Sequence, residues 1–189
     1  MTYAYKIKEL APPGFEPITV EEAKTFLRIS HAGDDAVLGG YITAARQFCE
    51  TYTGQSLIAR DYQMHVSKIK KPINHIEIPK TPLVSITDIR LVDSQGVETI
   101  IPAETYTVDI DLACITFDRA ITVSSETTVL NIHFTAGHGT SAEDIPEALR
   151  QAVLIKTTHL YEFRGDRDDD IPLDVLSSLL HPYKTLQVR

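Results

Sequence analysis

Residues 130–165, LNIHFTAGHGTSAEDIPEALRQAVLIKTTHLYEFRG, contain a β-strand pattern followed by a helix pattern. Leu130, Ile132 and Phe134 alternate with polar residues, which places apolar side chains on one face of a strand. From Ile145 onward, apolar residues recur at the three- and four-residue spacing of a helix. A β region is therefore predicted to end, and a helical region to begin, within this stretch.

Two further helices are predicted near the N-terminus. In ITVEEAKTFLRI, residues 18–29, Thr19 and Glu22 have the spacing of a capping box, in which each side chain satisfies the other residue's backbone N–H. The second helix is predicted over residues 35–53 and ends at Gly54. Its apolar face consists of Leu38, Tyr41, Ile42, Ala45, Phe48, Cys49 and Tyr52.

Between residues 57 and 135 the apolar period is two, and four to six strands are expected. The segment LVDSQGVETI is typical of a hairpin with its turn at residues 93–96. After the long C-terminal helix, where Pro146 suits the first position and Gly165 the end, PLDVLSSLLHPYK predicts a short helix limited by Pro182.

These elements predict an α+β fold, in which two N-terminal and two C-terminal helices pack together and carry an inserted, mainly antiparallel β-sheet. The first residues contain three prolines and a glycine, which favour an extended arm. The expected parts are an arm over 1–18, a single domain over 19–183 with helices in 19–53 and 145–181 and a β insert over 57–135, and a tail over 184–189.

The acidic segment EFRGDRDDDIPLD, residues 162–174, has aspartates at the spacing of a calcium loop. The pattern fails because Ile171 stands where that loop requires Gly, and Ser177 stands where it requires Glu. The tripeptide Arg164-Gly165-Asp166 matches an adhesion motif, but a match of three residues is expected by chance. We interpret the segment as a solvent-facing loop between the last two helices.

The 189-residue chain has a formal net charge of -8, which argues against a general polyanion-binding protein. A short basic run, Lys68 to Lys71, is the one opposing feature and is interpreted as a solvated strand end. Cys49 and Cys114 match no zinc or redox spacing, so reduced thiols and cytoplasmic synthesis are expected. No segment has the apolar length of a membrane span, and no membrane association is expected.

The sequence predicts no catalytic residue, cofactor or metal site. His159 and Glu162 are spaced to share a helix face, but a zinc site requires three or four protein ligands. His133 and His138 are explained as surface and turn residues. The chain also lacks the glycine-rich nucleotide-binding patterns and the nucleophile elbow.

The order of the segments ITVEEAKTFLRI, GDD, AARQFCETYTGQSLIARDY, TPLVSITDIRLVDSQG, FTAGHG and IPEALRQAVLIKTTHLYEFR resembles that of the head-tail connector (adaptor) proteins of tailed bacteriophages. The resemblance covers roughly residues 17–183. Its most specific parts are Tyr52-Thr53-Gly54, Ala136-Gly137-His138-Gly139, Ile145-Pro146 and Leu149-Arg150-Gln151. Many relatives have Tyr where this chain has His138.

The resemblance implies a structural virion protein without catalysis. It implies a ring, twelvefold to match the portal, that joins the portal of the head to the tail or stopper and continues the DNA channel. The expected partners are other copies of the chain, the portal protein and a stopper or tail-completion protein. DNA is expected to pass without specific binding, and the expected location is the head-tail junction of the virion, with assembly in the host cytoplasm.

The candidate partner or subunit contacts are polar residues of the long helices, the acidic segment and the C-terminal end. They are Arg46, Glu50, Arg150, Arg164, Asp166, Arg167, Asp168, Asp169, Asp170, Tyr183 and Lys184. The helical residues among them are expected to lie on outward faces.

Three alternatives remain open. The first is another neck or tail ring, a stopper or tail terminator, although such rings are usually dominated by β-sheet. The second is a small nucleic-acid-binding protein that uses the basic run with Arg150, Lys156 and Arg164. The third is an enzyme, which requires a pocket with converging histidine and carboxylate groups.

Overall fold

The structure, a computed structural model, describes residues 3–69, 71–122, 128–163 and 173–185. Its helices are α1 Val20–Leu27, α2 Asp35–Thr53, α3 Glu147–Phe163 and α4 Leu173–Leu180. Its strands are β1 Ala4–Glu9, β2 Arg60–Ser67, β3 Ile73–Glu77, β4 Leu83–Val92, β5 Glu98–Ile100, β6 Tyr106–Asp109, β7 Cys114–Ile121 and β8 Val129–Ala136. None of the described helices is both long and apolar enough to span a membrane.

The described residues form two compact units. Residues 13–58 and 138–185 form a helical unit, whereas residues 3–12 and 59–137 form a sheet unit. The α+β class and the packing of N-terminal helices against C-terminal helices are confirmed, because α3 contacts α1, α2 and α4.

The helical unit begins with the predicted capping box. The Glu22 N–H donates to Thr19 Oγ1 at 3.1 Å, and the Thr19 N–H donates to Glu22 Oε2 at 2.6 Å. Helix α2 has the predicted bounds and ends at Gly54, whose φ of 77° lies in the left-handed region that glycine adopts without strain. Helix α3 begins one residue after the predicted Pro146, and a 3₁₀ turn containing Pro182 follows α4, as expected.

The core of the helical unit lies where α2 and α3 face each other. Ile42, Ala45 and Cys49 on α2 and Leu149 and Val153 on α3 are almost completely buried. Burial of such side chains stabilises the fold by about 1.5–3 kcal/mol for each large aliphatic group. The predicted stop at Gly165 lies outside the described residues.

The sheet unit contains two antiparallel sheets. One has the strand order β1-β2-β8-β4-β5, and the other has the order β3-β7-β6. Strand β8 shows the predicted alternation, with Leu130, Ile132 and Phe134 buried. These side chains share one core with Ile76 of β3 and Ile115 of β7, so the two sheets bury a common apolar interior.

One predicted feature of the sheet unit is confirmed, and two others differ from the prediction. The hairpin turn at residues 93–96 is confirmed by the Gly96 N–H, which donates to the Asp93 carbonyl at 3.1 Å. The described residues of the insert contain seven strands, β2 to β8, whereas four to six were expected. Two of the additional elements are short, β5 and β6, and β1 lies within the segment expected to be an extended arm.

Candidate functional site

A groove on the helical unit runs between α1 and α3 and has a volume of about 480 Å³. We call it the α1–α3 groove. It is lined by Ile18, Glu21, Glu22, Thr25, Phe26, Glu147, Arg150, Gln151 and Leu154. Phe26 is 51% exposed. The groove therefore combines apolar surface with three carboxylates and one guanidinium group.

Arg150 holds the two sides of the groove together. Its Nη2 donates to Glu22 Oε1 on α1 at 2.6 Å, and its Nη1 donates to Glu147 Oε2 on α3 at 3.2 Å. Its Nε donates to the Pro17 carbonyl at 3.1 Å, next to the start of α1. The pKa of Glu22 is lowered, first by the Thr19 backbone N–H and further by Thr19 Oγ1 and Arg150. Arg150, a predicted interface residue, thus lines a concave surface while it stabilises the helix packing.

Arg46 and Glu50 do not occupy the outward positions predicted for them. They are 4% and 5% exposed, and Arg46 Nη1 donates to Glu50 Oε2 at 2.9 Å. Arg46 Nε also donates to Glu16 Oε2 at 2.8 Å, and Glu50 Oε1 accepts the Leu57 N–H at 3.0 Å. The prediction of an outward polar pair is wrong because segments before and after α2 cover this face of the helix.

Tyr183 and Lys184 lie at the C-terminal end of the described chain. Tyr183 packs against the core of the helical unit, whereas Lys184 is exposed with its Nζ 5.4 Å from the centre of the Tyr52 ring. The Thr185 N–H donates to the Thr53 carbonyl at 2.8 Å, so the start of the predicted tail is fixed to the end of α2. Interface roles for Tyr183 and Lys184 remain predictions.

The acidic segment contains the other predicted interface residues. Arg164, Asp166, Arg167, Asp168, Asp169 and Asp170 lie outside the described residues, and so does the calcium-like pattern that they form. Among the residues that are described, histidine, cysteine and acidic side chains form no group suited to hold a metal ion.

The histidines of the FTAGHG segment have separate structural partners. His133 Nδ1 lies 2.7 Å from Asp88 Oδ1 on the polar face of the five-stranded sheet. The pKa of Asp88 is lowered, mainly by its hydrogen bonds with Arg90 and also by His133. His138 Nε2 lies 2.8 Å from Gln55 Oε1, and burial lowers the pKa of His138. These contacts agree with the interpretation of both histidines as surface and turn residues.

Two of the basic residues that a nucleic-acid-binding function would use, Arg150 and Lys156, are paired with carboxylates or partly buried. Arg150 is paired with two carboxylates. Lys156 is partly buried, with its Nζ 4.6 Å from the centre of the Phe48 ring, and burial lowers its pKa. Of the named residues on the described part of the chain, Lys68 and Lys71 of the basic run are exposed. This arrangement offers little free positive charge for phosphate contacts.

Sequence reasoning missed the α1–α3 groove and a second surface on β1. Lys6, Lys8 and Leu10 lie at alternate positions along an exposed edge of the sheet unit. The pattern of alternating residues in YAYKIKEL was a detectable signal for this strand, but the nearby prolines obscured it.

Residues 17–101 match the family described as phage gp6-like head-tail connector protein. The matched segment extends from the start of the helical unit to the end of β5. Among curated proteins, none matches the chain significantly.

The solved structures that resemble the whole chain include three from gene transfer agent (GTA) particles. The neck of an empty GTA particle, computed with C6 symmetry, contains a chain with 26% identity and a TM-score of 0.82. The neck of a native GTA particle, computed with C12 symmetry, contains one with 27% identity and a TM-score of 0.81. The virion of the native particle contains one with 28% identity and a TM-score of 0.78. Each match covers 97% of this chain and 97% of the other chain.

Proposed function

We infer that this chain is a head-tail connector protein, a structural component of the neck that joins a phage-type head to its tail. The resemblance predicted from the sequence is confirmed by the family match over residues 17–101 and by the neck structures. The observation that carries the inference is the agreement in fold with a neck protein over 97% of both chains at 26% identity. The proposed role requires no catalysis.

The chain acts as a ring of identical subunits at the head-tail junction of the virion. The matched neck structures were computed with C6 and C12 symmetry, and both symmetries suit a ring whose axis coincides with the neck. We propose twelve subunits for this chain. A ring requires a heterologous interface, in which one patch of a subunit binds a different patch of the next subunit.

The portal protein is the proposed partner on the head side, and a stopper or tail-completion protein is the proposed partner on the tail side. The exposed Lys184 and the residues of the acidic segment remain candidates for these contacts. Assembly is proposed to take place in the host cytoplasm, where the portal of a filled head becomes accessible.

DNA is proposed to pass through the ring without specific binding. The net charge of -8 opposes retention of the phosphate backbone. The arginines Arg46, Arg90 and Arg150 are all paired with carboxylates of the same chain, which reduces their availability to phosphate. A channel protein with these charges allows DNA to move instead of holding it.

Light scattering of the purified chain, with and without its cognate portal ring, tests this function. We expect monomers or mixed small species for the chain alone, and a complex heavier than the portal by several subunits after mixing. Portal rings that gain no mass at any chain concentration would contradict the proposed function. A chain that binds a tail-completion protein but no portal would instead be assigned to the stopper or terminator class.

A further inference from the structure

The proposed ring requires two complementary patches on each subunit, and the described residues contain a pair with matching chemistry. One is the α1–α3 groove of the helical unit. The other is the outward face of β1 and the residue after it, formed by Lys6, Lys8 and Leu10, which we call the basic strip. We propose that the basic strip of one copy docks into the α1–α3 groove of the next copy. This contact rests on the proposed function as a ring.

The basic strip is separated from the core of its own unit. Tyr5 and Ile7 of β1 pack against the core of the sheet unit, and strand alternation therefore directs Lys6 and Lys8 to the opposite face. The Leu10 N–H donates to the Asp61 carbonyl at 3.0 Å, so the strand geometry extends to Leu10, which is 48% exposed. Neither lysine forms an ion pair with any described residue. The strip therefore presents two free ammonium groups and one apolar side chain.

The α1–α3 groove has the opposite character. The side chains of Glu21 and Glu147 are 80% and 66% exposed at its rim. Lys24 Nζ lies 3.5 Å from Glu21 Oε1 and also pairs with Asp35, and Arg150 pairs with Glu22 and Glu147, so the three carboxylates of the groove are only partly compensated by these two cations. Phe26 supplies exposed apolar surface that the chain itself leaves half uncovered. Two lysines and a leucine match a site formed by carboxylates and a phenylalanine.

The two surfaces also have similar lengths. From Lys6 to Leu10 a strand extends about 13 Å at roughly 3.3 Å per residue. From Glu147 to Leu154, helix α3 extends about 10 Å at roughly 1.5 Å per residue. Because the strip and the groove are different patches, each copy retains one of each after pairing, as closure of a ring requires.

The first test uses charge reversal in the full-length chain with its portal ring. One variant carries Lys6→Glu and Lys8→Glu, a second carries Glu21→Lys and Glu147→Lys, and a third carries all four substitutions. We expect at least tenfold higher chain concentrations for ring formation in the first two variants, and recovery toward wild type in the third. Lys71→Glu, at an exposed lysine outside the strip, serves as the control and is expected to assemble as wild type does.

The results of the charge-reversal test distinguish failure of the proposed contact from failure of the connector function. Wild-type rings together with unaffected charge variants would overturn the contact and leave the connector function intact. A wild-type chain that forms no ring on the portal would overturn both. Circular dichroism of each variant identifies any that fail to fold, and the disulfide test below then decides the matter without charge reversal.

The second test uses a disulfide between Lys8→Cys and Thr25→Cys, because Thr25 lines the groove. The native Cys49 and Cys114 are buried and do not compete for oxidation. Oxidation of assembled rings is expected to give covalent multimers on non-reducing gels, whereas Lys71→Cys with Thr25→Cys gives none. A disulfide that forms only within one chain, or no disulfide in assembled rings, would overturn the proposed contact.

Discussion

At the scale of single residues, a buried ion pair connects α2 to the segments before and after it. Arg46 pairs with Glu50 and Glu16, and Glu50 also accepts the Leu57 N–H. Charged groups with so little exposure are tolerated only when each has a partner of opposite charge or a hydrogen-bond donor. The pair therefore fixes two segments against α2, the one before α1 through Glu16 and the one after α2 through Leu57.

Replacement of Arg46 by Met is expected to lower the free energy of unfolding by about 3 kcal/mol, because it leaves the Glu50 carboxylate buried without its cation. Urea unfolding followed by circular dichroism measures the change. The control is Lys71→Met, an exposed position where the change is expected to stay within about 0.5 kcal/mol. Equal stabilities of the two variants would contradict a structural role for the pair.

Gly139 gives a second prediction, because a Cβ at this position would overlap the side chain of Asp144. Asp144 Oδ2 accepts the N–H groups of Thr140 and Ser141 at 3.0 and 2.9 Å. Gly139→Ala must displace Asp144 and is expected to destabilise the chain by about 1–3 kcal/mol.

Gly40 provides the matched control for this substitution, since a Cβ there meets nothing within 4 Å. Gly40→Ala lies within helix α2 and is expected to raise stability by about 0.5–1 kcal/mol through backbone entropy and helix propensity. Thermal and urea unfolding of both variants show whether the two substitutions change the free energy of unfolding in opposite directions. Stabilisation by both would show that Asp144 is free to move.

The Asp88 carboxyl predicts a pH dependence of stability. Its pKa is lowered in the folded chain by Arg90 and His133, so its contribution is present above the ordinary aspartate pKa of about 4 and is lost as the pH falls through the lower folded value. Asp88→Asn is therefore expected to have a lower free energy of unfolding than wild type near pH 5. This difference between the two chains is expected to become smaller as the pH approaches about 2. Urea unfolding across this pH range measures the difference in free energy of unfolding, and a difference that stays constant with pH would contradict the prediction.

At the scale of elements, regular patterns allowed correct prediction and irregular contacts did not. Helix α2 and strand β8 each bury one face, and the apolar periods of 3.6 and 2 make such elements visible in the sequence. Strand β1 was missed because it forms by pairing with β2, about 55 residues further along the chain, a contact that local composition does not report. The burial of Arg46 and Glu50 was missed for the same reason.

The division into two units predicts that the helices retain a core without the sheets. The buried side chains of the helical core all lie within residues 13–58 and 138–185. The contact between Gln55 and His138 brings the ends of the sheet insertion close together, so a short Gly-Ser linker can replace residues 59–137. Far-ultraviolet circular dichroism of that chain is expected to retain most of the helical signal, whereas an unfolded spectrum would contradict an independent helical core.

At the scale of the whole molecule, the proposed role requires an arrangement of many copies. The order of motifs along the chain was sufficient to predict the resemblance to head-tail connector proteins, which the family match over residues 17–101 and the neck structures support. The surfaces proposed for assembly, the α1–α3 groove and the basic strip, exist only after folding brings distant residues together. Their contacts depend on exposed charges, which are individually weak and screened by salt, so we expect ring formation to be concentration-dependent in the absence of the portal.

Electron microscopy of the purified chain mixed with its cognate portal ring tests the connector function most directly. The predicted result is a second annulus, twelvefold and coaxial with the portal, that covers the tail-facing end and extends the central channel. Portal rings without added density, or a twofold dimer that never joins them, would contradict the central claim that this chain is a ring-forming head-tail connector.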